Sequence, residues 1–397
     1  MNRIALFHNL PSGGAKRTLF EQVKRLAERH RIDVFTLSCA EHKFGELSPF
    51  VARQFTYSFQ PLPLLKKPFR RLDQAIRLAN LRRLAKLNHR IAFEIDKGDY
   101  EVVYVQPCQF TNSPSILRYL TKPSVFYCQE TLRIVYDPPI LREVDRTILQ
   151  TVVDRLDPLP GLYLKSLAAE DRLNLQAAKR ILVNSAFSKE SFKRAYNIST
   201  EVCYHGVDIS IFRPLDLKRK PYIISVGALR KDKGFDFILK SLALIPTSKR
   251  PQLTIVSNYH QPAEKVYLES LARDLGVCLD LQYLVSDDDL VKLYNQALLT
   301  VYAPYLEPFG LVPLESMASG TPVVGVAEGG VVETVIDRTT GLLVERDPYS
   351  FAQAVQELIN DEHLRDEYGR QGHEYVEKNW SWEAAVSRLE LYLKAAI

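Results

Sequence analysis

The sequence predicts an α/β protein of two Rossmann-like domains, each a doubly wound parallel sheet, and three observations carry that expectation. At 397 residues the chain exceeds the length at which a single hydrophobic core stops growing. Short apolar runs rich in β-branched residues alternate with segments of helical spacing throughout, the order that builds parallel sheets covered by helices. The polar tract 215–220 divides this alternation into two halves, and each half opens with a strand running into a glycine turn.

In the first half, residues 3–8 (RIALFH) read as a strand, Pro11-Ser12-Gly13-Gly14 as a tight turn, 15–29 as a helix and 32–37 as the next strand. The turn is not GxGxxG and no acidic residue closes the second strand, which counts against NAD or FAD. Residues 101–106 (EVVYVQ) and 124–128 (SVFYC) read as buried strands ending in polar loops, where open α/β sheets bind ligands. Residues 154–176 form a long helix interrupted by Pro158 and Pro160, 180–184 (RILVN) a strand, Ser188 the start of a capped helix, and 201–204 a short strand.

In the second half, 221–226 (PYIISV), 252–257, 277–283 and 298–302 read as strands and 341–344 as a last edge strand. Residues 349–360 and 362–378 are amphipathic helices, and Trp380-Ser381-Trp382 leads into a final helix. Ser286 followed by Asp287, Asp288 and Asp289 is read as a capped helix start rather than a metal site, because acids belong in a first turn. The histidines show no ligand spacing, so no metal is expected.

Composition narrows the function class. A formal net charge of +5 is too mild to imply nucleic acid. Five cysteines without a CxxC point to a reducing cytosol. The N-terminal apolar run is too short for a signal peptide, and no stretch approaches about 18 apolar residues, so a cytoplasmic location is expected. One segment is strongly basic: Lys66, Lys67, Arg70, Arg71, Arg77, Arg82, Arg83, Lys86 and Arg90 are opposed only by Asp73 and interleaved with Leu72, Ile76, Leu81, Leu84 and Leu87. It reads either as a helix docking on the anionic inner face of a membrane or as the charged outer face of a domain-covering helix.

The most informative stretch is 299–330, a strand, a Pro-marked loop and a helix of spacing 310–319 stopped by Gly320. Such a unit aims free backbone N–H groups and the positive end of the helix dipole beyond the strand's carboxyl end, which favours a phosphate. Glu307 lies in the loop, and Glu315 lies roughly 9 Å along the helix axis from Phe309 at 1.5 Å per residue. Side chains lean toward the helix N-terminus, so Glu315 would reach ribose hydroxyls of a nucleotide whose phosphates sit there. This geometry suits a nucleoside diphosphate joined to a sugar.

Glu307-Pro308-Phe309-Gly310, with seven residues between Glu307 and Glu315, then Ser316, Ala318, Gly320, Pro322 and Val323 closely resemble the signature of the retaining glycosyltransferases of family 4 (glycosyl transferases group 1). The resemblance implies the GT-B fold, with two Rossmann-like domains facing across a cleft. It places an acceptor-binding domain at 1–205, completed by the helix 381–397 crossing back, and a donor-binding domain at 206–380. It assigns Glu307 to hydroxyls of the transferred sugar, Glu315 to the ribose, Lys233 with Arg230 to the diphosphate, and the backbone of Phe309, Gly310 and Leu311 to the distal phosphate. Gly13 and Gly14 would lie between diphosphate and acceptor, Gly227 opens the lysine turn, and Gly329 and Gly330 form the glycine turn under the nucleotide. Gln129, Glu130 and Arg133 are acceptor-side candidates.

The chain departs from the family at two places. Gln129 stands where many relatives have histidine, and glutamine cannot exchange a proton near neutral pH. Ala228 stands in place of the usual arginine, with Arg230 two residues on. The resemblance implies a hexosyltransferase-type enzyme that needs no metal or other cofactor and uses the departing phosphate to help deprotonate the acceptor hydroxyl. The acceptor is expected to be a glycan or a lipid-linked intermediate of polysaccharide synthesis. A catalytically impaired sugar-nucleotide binder and another GT-B enzyme, such as a nucleotide-sugar epimerase, stay open as alternatives. Donor base, sugar and acceptor reside in loops, not in these motifs.

Overall fold

The structure, a computed structural model, describes residues 2–65, 72–140, 158–258 and 261–397. Lys66, Lys67, Arg70 and Arg71, and the first residues of the 154–176 helix expected from sequence, lie outside the described residues. Contacts divide the chain into two units: Met1–Asn184, Ser188–Cys203 and Val386–Ile397 form the first, and Ser185–Phe187 and Tyr204–Ala385 the second.

The elements up to 202 are β1 (Arg3–Asn9), α1 (Gly14–Leu26), β2 (Arg31–Leu37), β3 (Arg53–Tyr57), α2 (Asp73–Lys97), β4 (Val102–Cys108), β5 (Ser124–Tyr127), α3 (Arg133–Tyr136), α4 (Pro158–Ala177), β6 (Arg180–Val183), α5 (Ala186–Tyr196) and β7 (Glu201–Val202). The strands form a parallel sheet of order β3-β2-β1-β4-β5-β6-β7. Fully parallel sheets need cover on both faces, which explains why β1, β2 and β4 are buried almost end to end. One face packs Phe7, Phe35, Val105 and Phe126 against Leu84, Ile91 and Ile95 of α2.

The structure adds to or corrects the sequence reading at three places. The edge strand β3 was not expected, because Arg-Gln-Phe-Thr-Tyr carries a single stacking aromatic face: Phe55 lies 4.9 Å from Phe35, and Arg53 donates to Asp33 at 2.6 Å. Ser188 does not begin α5; it sits in the first turn and donates to Asn184 Oδ1 at 2.8 Å and to Gln129 O at 3.1 Å. In α2, Leu84 is buried and Leu87 packs on the sheet core, while Arg82, Arg83, Lys86 and Arg90 are exposed. The C-terminal part of the apolar stripe therefore serves the core, and the cations form the outer face.

The later elements are β8 (Tyr222–Val226), α6 (Phe235–Ala243), β9 (Gln252–Ser257), α7 (Pro262–Asp274), β10 (Leu279–Tyr283), α8 (Asp287–Gln296), β11 (Thr300–Tyr302), α9 (Leu311–Ala318), β12 (Val323–Val326), α10 (Val331–Thr334), β13 (Gly341–Val344), α11 (Pro348–Asn360), α12 (Glu362–Asn379) and α13 (Trp382–Lys394). Their sheet is parallel with order β10-β9-β8-β11-β12-β13. The chain runs outward from β8 to β10 and returns to β11, so the β8/β11 junction is a switch point, where such sheets bind ligands beyond the strand carboxyl ends. Ser286 caps α8 by accepting from Asp289 N, and Asp289 pairs with Lys292 at 2.9 Å. These acids thus complete a helix start.

The last helix begins in the second unit, and from Val386 it belongs to the first. There Glu390 lies 2.8 Å from His30 Nε2 and 3.0 Å from Arg29 Nη1. Among the described residues, no helix is long and apolar enough to cross a membrane.

Candidate functional site

Four loops at the carboxyl ends of β8, β11, β12 and β13 build the site in the second unit. After β8, Gly227 leads to a turn of 3-10 helix at Lys231–Lys233 and then Gly234, at φ 67. A side chain at Gly234 would overlap the carbonyl oxygen of Ala303, so the turn passes directly against the loop after β11. Tyr305 N donates to Asp232 O at 2.8 Å and joins the same two loops.

After β11, the loop carries Leu306 at φ 46, a strained conformation for leucine, directly before Glu307. Two glycines from the β12 loop hold this place: Gly330 N donates to Glu307 O at 2.7 Å, and Cβ atoms at Gly329 or Gly330 would overlap the backbone of Glu307 or Pro308. Phe309 is 2% exposed and its ring packs edge-on against His205 at 5.0 Å and Trp380 at 5.5 Å. Its side chain anchors the loop, and its backbone leads into Gly310, at φ 109, and α9. The N–H groups of Gly310, Leu311 and Val312 have no acceptor among the described residues, as helix geometry dictates for a first turn.

Charge in the site is internally balanced. Lys233 Nζ lies 2.7 Å from Glu307 Oε2, and Arg230 Nε lies 2.8 Å from Asp232 Oδ1. Arg346 Nη2 lies 2.8 Å from Glu328 Oε2. Each cation expected from sequence to meet a phosphate is therefore held by a carboxylate. Arg230 is gripped along one edge by both carboxylate oxygens, its Nη2 donating to Asp232 Oδ2 at 3.1 Å. Glu315 is 6% exposed and accepts from Tyr294 OH at 3.2 Å. Burial pushes the Tyr302 phenol well above its ordinary range, reinforced by the charges of Glu307, Glu315 and Asp232. These three carboxylates gather around one protonated tyrosine. Burial alone pushes His205 down to about 3, so it packs on Phe309 as a neutral ring.

In the first unit the expected residues sit at two places. Gly13, at φ 143, is the N-cap of α1, and Gly14 begins the helix at the carboxyl end of β1. Gln129 and Glu130 follow β5: the Glu130 carbonyl accepts from Asn112 Nδ2 at 2.9 Å, and Gln129 Nε2 is buried with no acceptor among the described residues. Arg133 donates to Asp137 at 2.7 Å and lies 3.9 Å from Glu130. Its firm partner is thus Asp137. Sequence reasoning missed Asp232, Tyr302, Glu328 and Arg346; Glu328 and Arg346 are common residue types whose partner comes from another strand loop, and Asp232 is engaged by Arg230 within its own turn. Among the described residues no group of side chains is arranged to hold a metal ion.

Residues 12–211 match Glycosyltransferase Family 4, and residues 208–375 match Glycosyl transferases group 1. The α-1,3/1,6-mannosyltransferase ALG2 of Rhizomucor pusillus is 24% identical over 74% of this chain and 71% of its own length. The human ALG2 protein is 28% identical over 54% of this chain and 58% of its own. The D-inositol 3-phosphate glycosyltransferase of Corynebacterium kroppenstedtii is 30% identical over 55% and 54%. The chain thus spans little more than half the length of the last two relatives. Sucrose-phosphate synthase from Thermosynechococcus elongatus shares the fold with a TM-score of 0.75 and 21% identity, over 100% of this chain and 99% of that one. Anabaena HepE, solved in complex with UDP and glucose, gives a TM-score of 0.70 at 16% identity over 99% and 100%. With two parallel-sheet units of this topology and a family match over half its length, the chain is a GT-B glycosyltransferase and belongs to family 4.

Proposed function

We propose that the enzyme transfers a hexose from a nucleoside-diphosphate sugar to an acceptor hydroxyl with retention of anomeric configuration. The observation that carries the reading is the convergence, on one switch point, of Glu307, Lys233, Glu315 and the free N–H groups at the start of α9. Glu315 takes the ribose, and the α9 amides with Lys233 take the diphosphate. Negative charge builds on that diphosphate as the glycosidic bond breaks, and fixed cations and amides stabilise it selectively. Glu307 holds hydroxyls of the departing sugar. The leaving phosphate oxygen, on the same face as the acceptor, receives the acceptor's proton, which accounts for retention without an enzyme nucleophile. Fixed cations supply the charge that a metal would otherwise bring, so turnover is expected to persist in EDTA. The UDP held by HepE and the mannosyl transfer named for ALG2 support a nucleotide-linked hexose donor.

A thermal-shift and turnover screen against UDP, GDP, ADP and their sugars tests this reading, with Glu315→Ala alongside. One nucleotide should stabilise the parent protein, the variant should lose at least about 10-fold in affinity for it, and the matching sugar should be released slowly to water. No stabilisation by any nucleotide, or equal stabilisation of the variant, removes the ribose assignment and the site with it.

The exposed cations of α2 are proposed to rest on anionic lipid headgroups, which suits a lipid-linked acceptor. Sedimentation with vesicles of phosphatidylcholine, with and without phosphatidylglycerol, should show binding only to the anionic ones, lost in the triple variant Arg82→Glu, Arg83→Glu, Lys86→Glu. Binding that ignores lipid charge or these substitutions defeats the proposal.

A further inference from the structure

Arg346, two residues beyond β13, engages three strand ends at once. Its Nε and Nη2 donate to the two carboxylate oxygens of Glu328, each at 2.8 Å, in the loop after β12. Nη1 donates to Ala303 O at 2.9 Å and Nη2 to Pro304 O at 2.7 Å, in the loop after β11. The guanidinium carbon stands 3.9 Å from the ring centroid of Tyr305 and 5.3 Å from that of Phe237 on α6. Four of its five N–H bonds are thereby used, and the side chain is only 16% exposed. This is a planar fork filled on both edges, unlike a solvated surface pair.

The segments it joins carry the reacting groups. Glu307 lies two residues beyond Tyr305, and Glu328 lies two before Gly330, whose N–H binds Glu307 O at 2.7 Å. The loops after β11 and β12 are thus stapled twice, once through backbone at Glu307 and once through Arg346. Tyr305 N carries the fastening on to Asp232 O in the lysine turn.

We propose that Arg346 is a positioning residue for sugar transfer: by clamping Ala303–Tyr305 to Glu328 it sets the Glu307 carboxylate relative to Lys233, without touching phosphate or sugar. The assignment rests on the functional reading above. Lysine cannot take this place, because a single ammonium does not span a carboxylate and two carbonyls in one plane.

The test compares the parent with Arg346→Ala, Arg346→Lys and Glu328→Gln. Binding of UDP, GDP and ADP is measured by calorimetry, together with kcat and KM for sugar release from UDP-glucose, GDP-mannose and ADP-glucose, and melting curves. Arg346→Ala should keep the affinity for the matching nucleoside diphosphate within about 3-fold, because Glu315 and the α9 amides that hold it remain. Its kcat should fall about 30-fold, the scale on which outer supports of a reacting group act. Arg346→Lys should recover little of this, whereas Glu328→Gln, which keeps one acceptor for the guanidinium and both carbonyl bonds, should lose kcat by a smaller factor than Arg346→Ala.

Parental kcat in Arg346→Ala, rescue by lysine, or a parallel fall of kcat, nucleotide affinity and melting temperature overturns the assignment. A parent that binds no nucleotide and releases no sugar overturns the functional reading itself, and is seen before any variant is compared.

Discussion

Glu307→Gln is expected to bind free nucleoside diphosphate more tightly than the parent while transferring sugar at least about 100-fold more slowly, the loss typical of removing one transition-state contact. Lys233 and Glu307 meet at 2.7 Å with side chains 21% and 17% exposed, so the lysine assigned to the diphosphate is already engaged in the free protein. An incoming diphosphate must compete with that carboxylate and lie beside its charge. Glutamine keeps the size and removes the charge, which frees the ammonium and ends the repulsion. A hydrogen bond between charged groups contributes about 1.5–3 kcal/mol, and part of it returns as hydration of the freed lysine, so a gain of roughly 3–10-fold in affinity is expected. Lys233→Met should show the opposite sign, losing about 10-fold or more in nucleotide affinity. Calorimetry with UDP and GDP, set beside turnover, separates the two. Parallel losses of affinity and turnover in Glu307→Gln would show that Glu307 holds the nucleotide and does not compete with it.

Gly234→Ala should damage the second unit, whereas Gly227→Ala in the same turn should not. Gly234 has φ 67, and a Cβ there would overlap the Ala303 carbonyl oxygen, which is backbone and cannot swing aside. Left-handed strain costs alanine about 1–2 kcal/mol, and displacing the β11 loop adds at least as much. A total of about 3 kcal/mol corresponds to a drop of roughly 6–12 °C in melting temperature for a unit of this size. The displacement also moves Lys233 away from Glu307, so nucleotide binding should fall together with stability. At Gly227 the nearest atoms to a Cβ would be Phe235 Cζ at 3.5 Å and Lys233 Cγ at 3.6 Å, which is ordinary contact. Gly227→Ala should melt within about 2 °C of the parent. Any affinity it loses then reports the close approach of a ligand to that backbone. A Gly234→Ala protein that melts like the parent would mean the two loops do not touch in this way.

Most of the site could be read in the sequence because its parts are contiguous. Glu307 through Glu315 is one loop running into one helix, and the buried strand before it and Gly320 after it are local signals. The alternation of strands and helices, the cap at Ser286 and the glycine turn around Lys233 are local in the same sense, for each rests on the conformation its own residues prefer. By themselves they determined two parallel-sheet domains and a helix start whose first backbone N–H groups are left without acceptors inside the helix. Tertiary structure decided the partners. It placed β3 at a sheet edge and turned the C-terminal apolar stripe of α2 to the core, leaving its cations outside. It also gave Lys233 to Glu307 and Arg346 to Glu328, and gathered three carboxylates around Tyr302. The physical reason lies in strand order: β8, β11, β12 and β13 are neighbours in the sheet but separated by whole helices in the chain. Which charge answers which is therefore set where loops from different strands converge, as for Lys233 with Glu307 and Arg346 with Glu328, while the Arg230–Asp232 pair within one turn is the local exception.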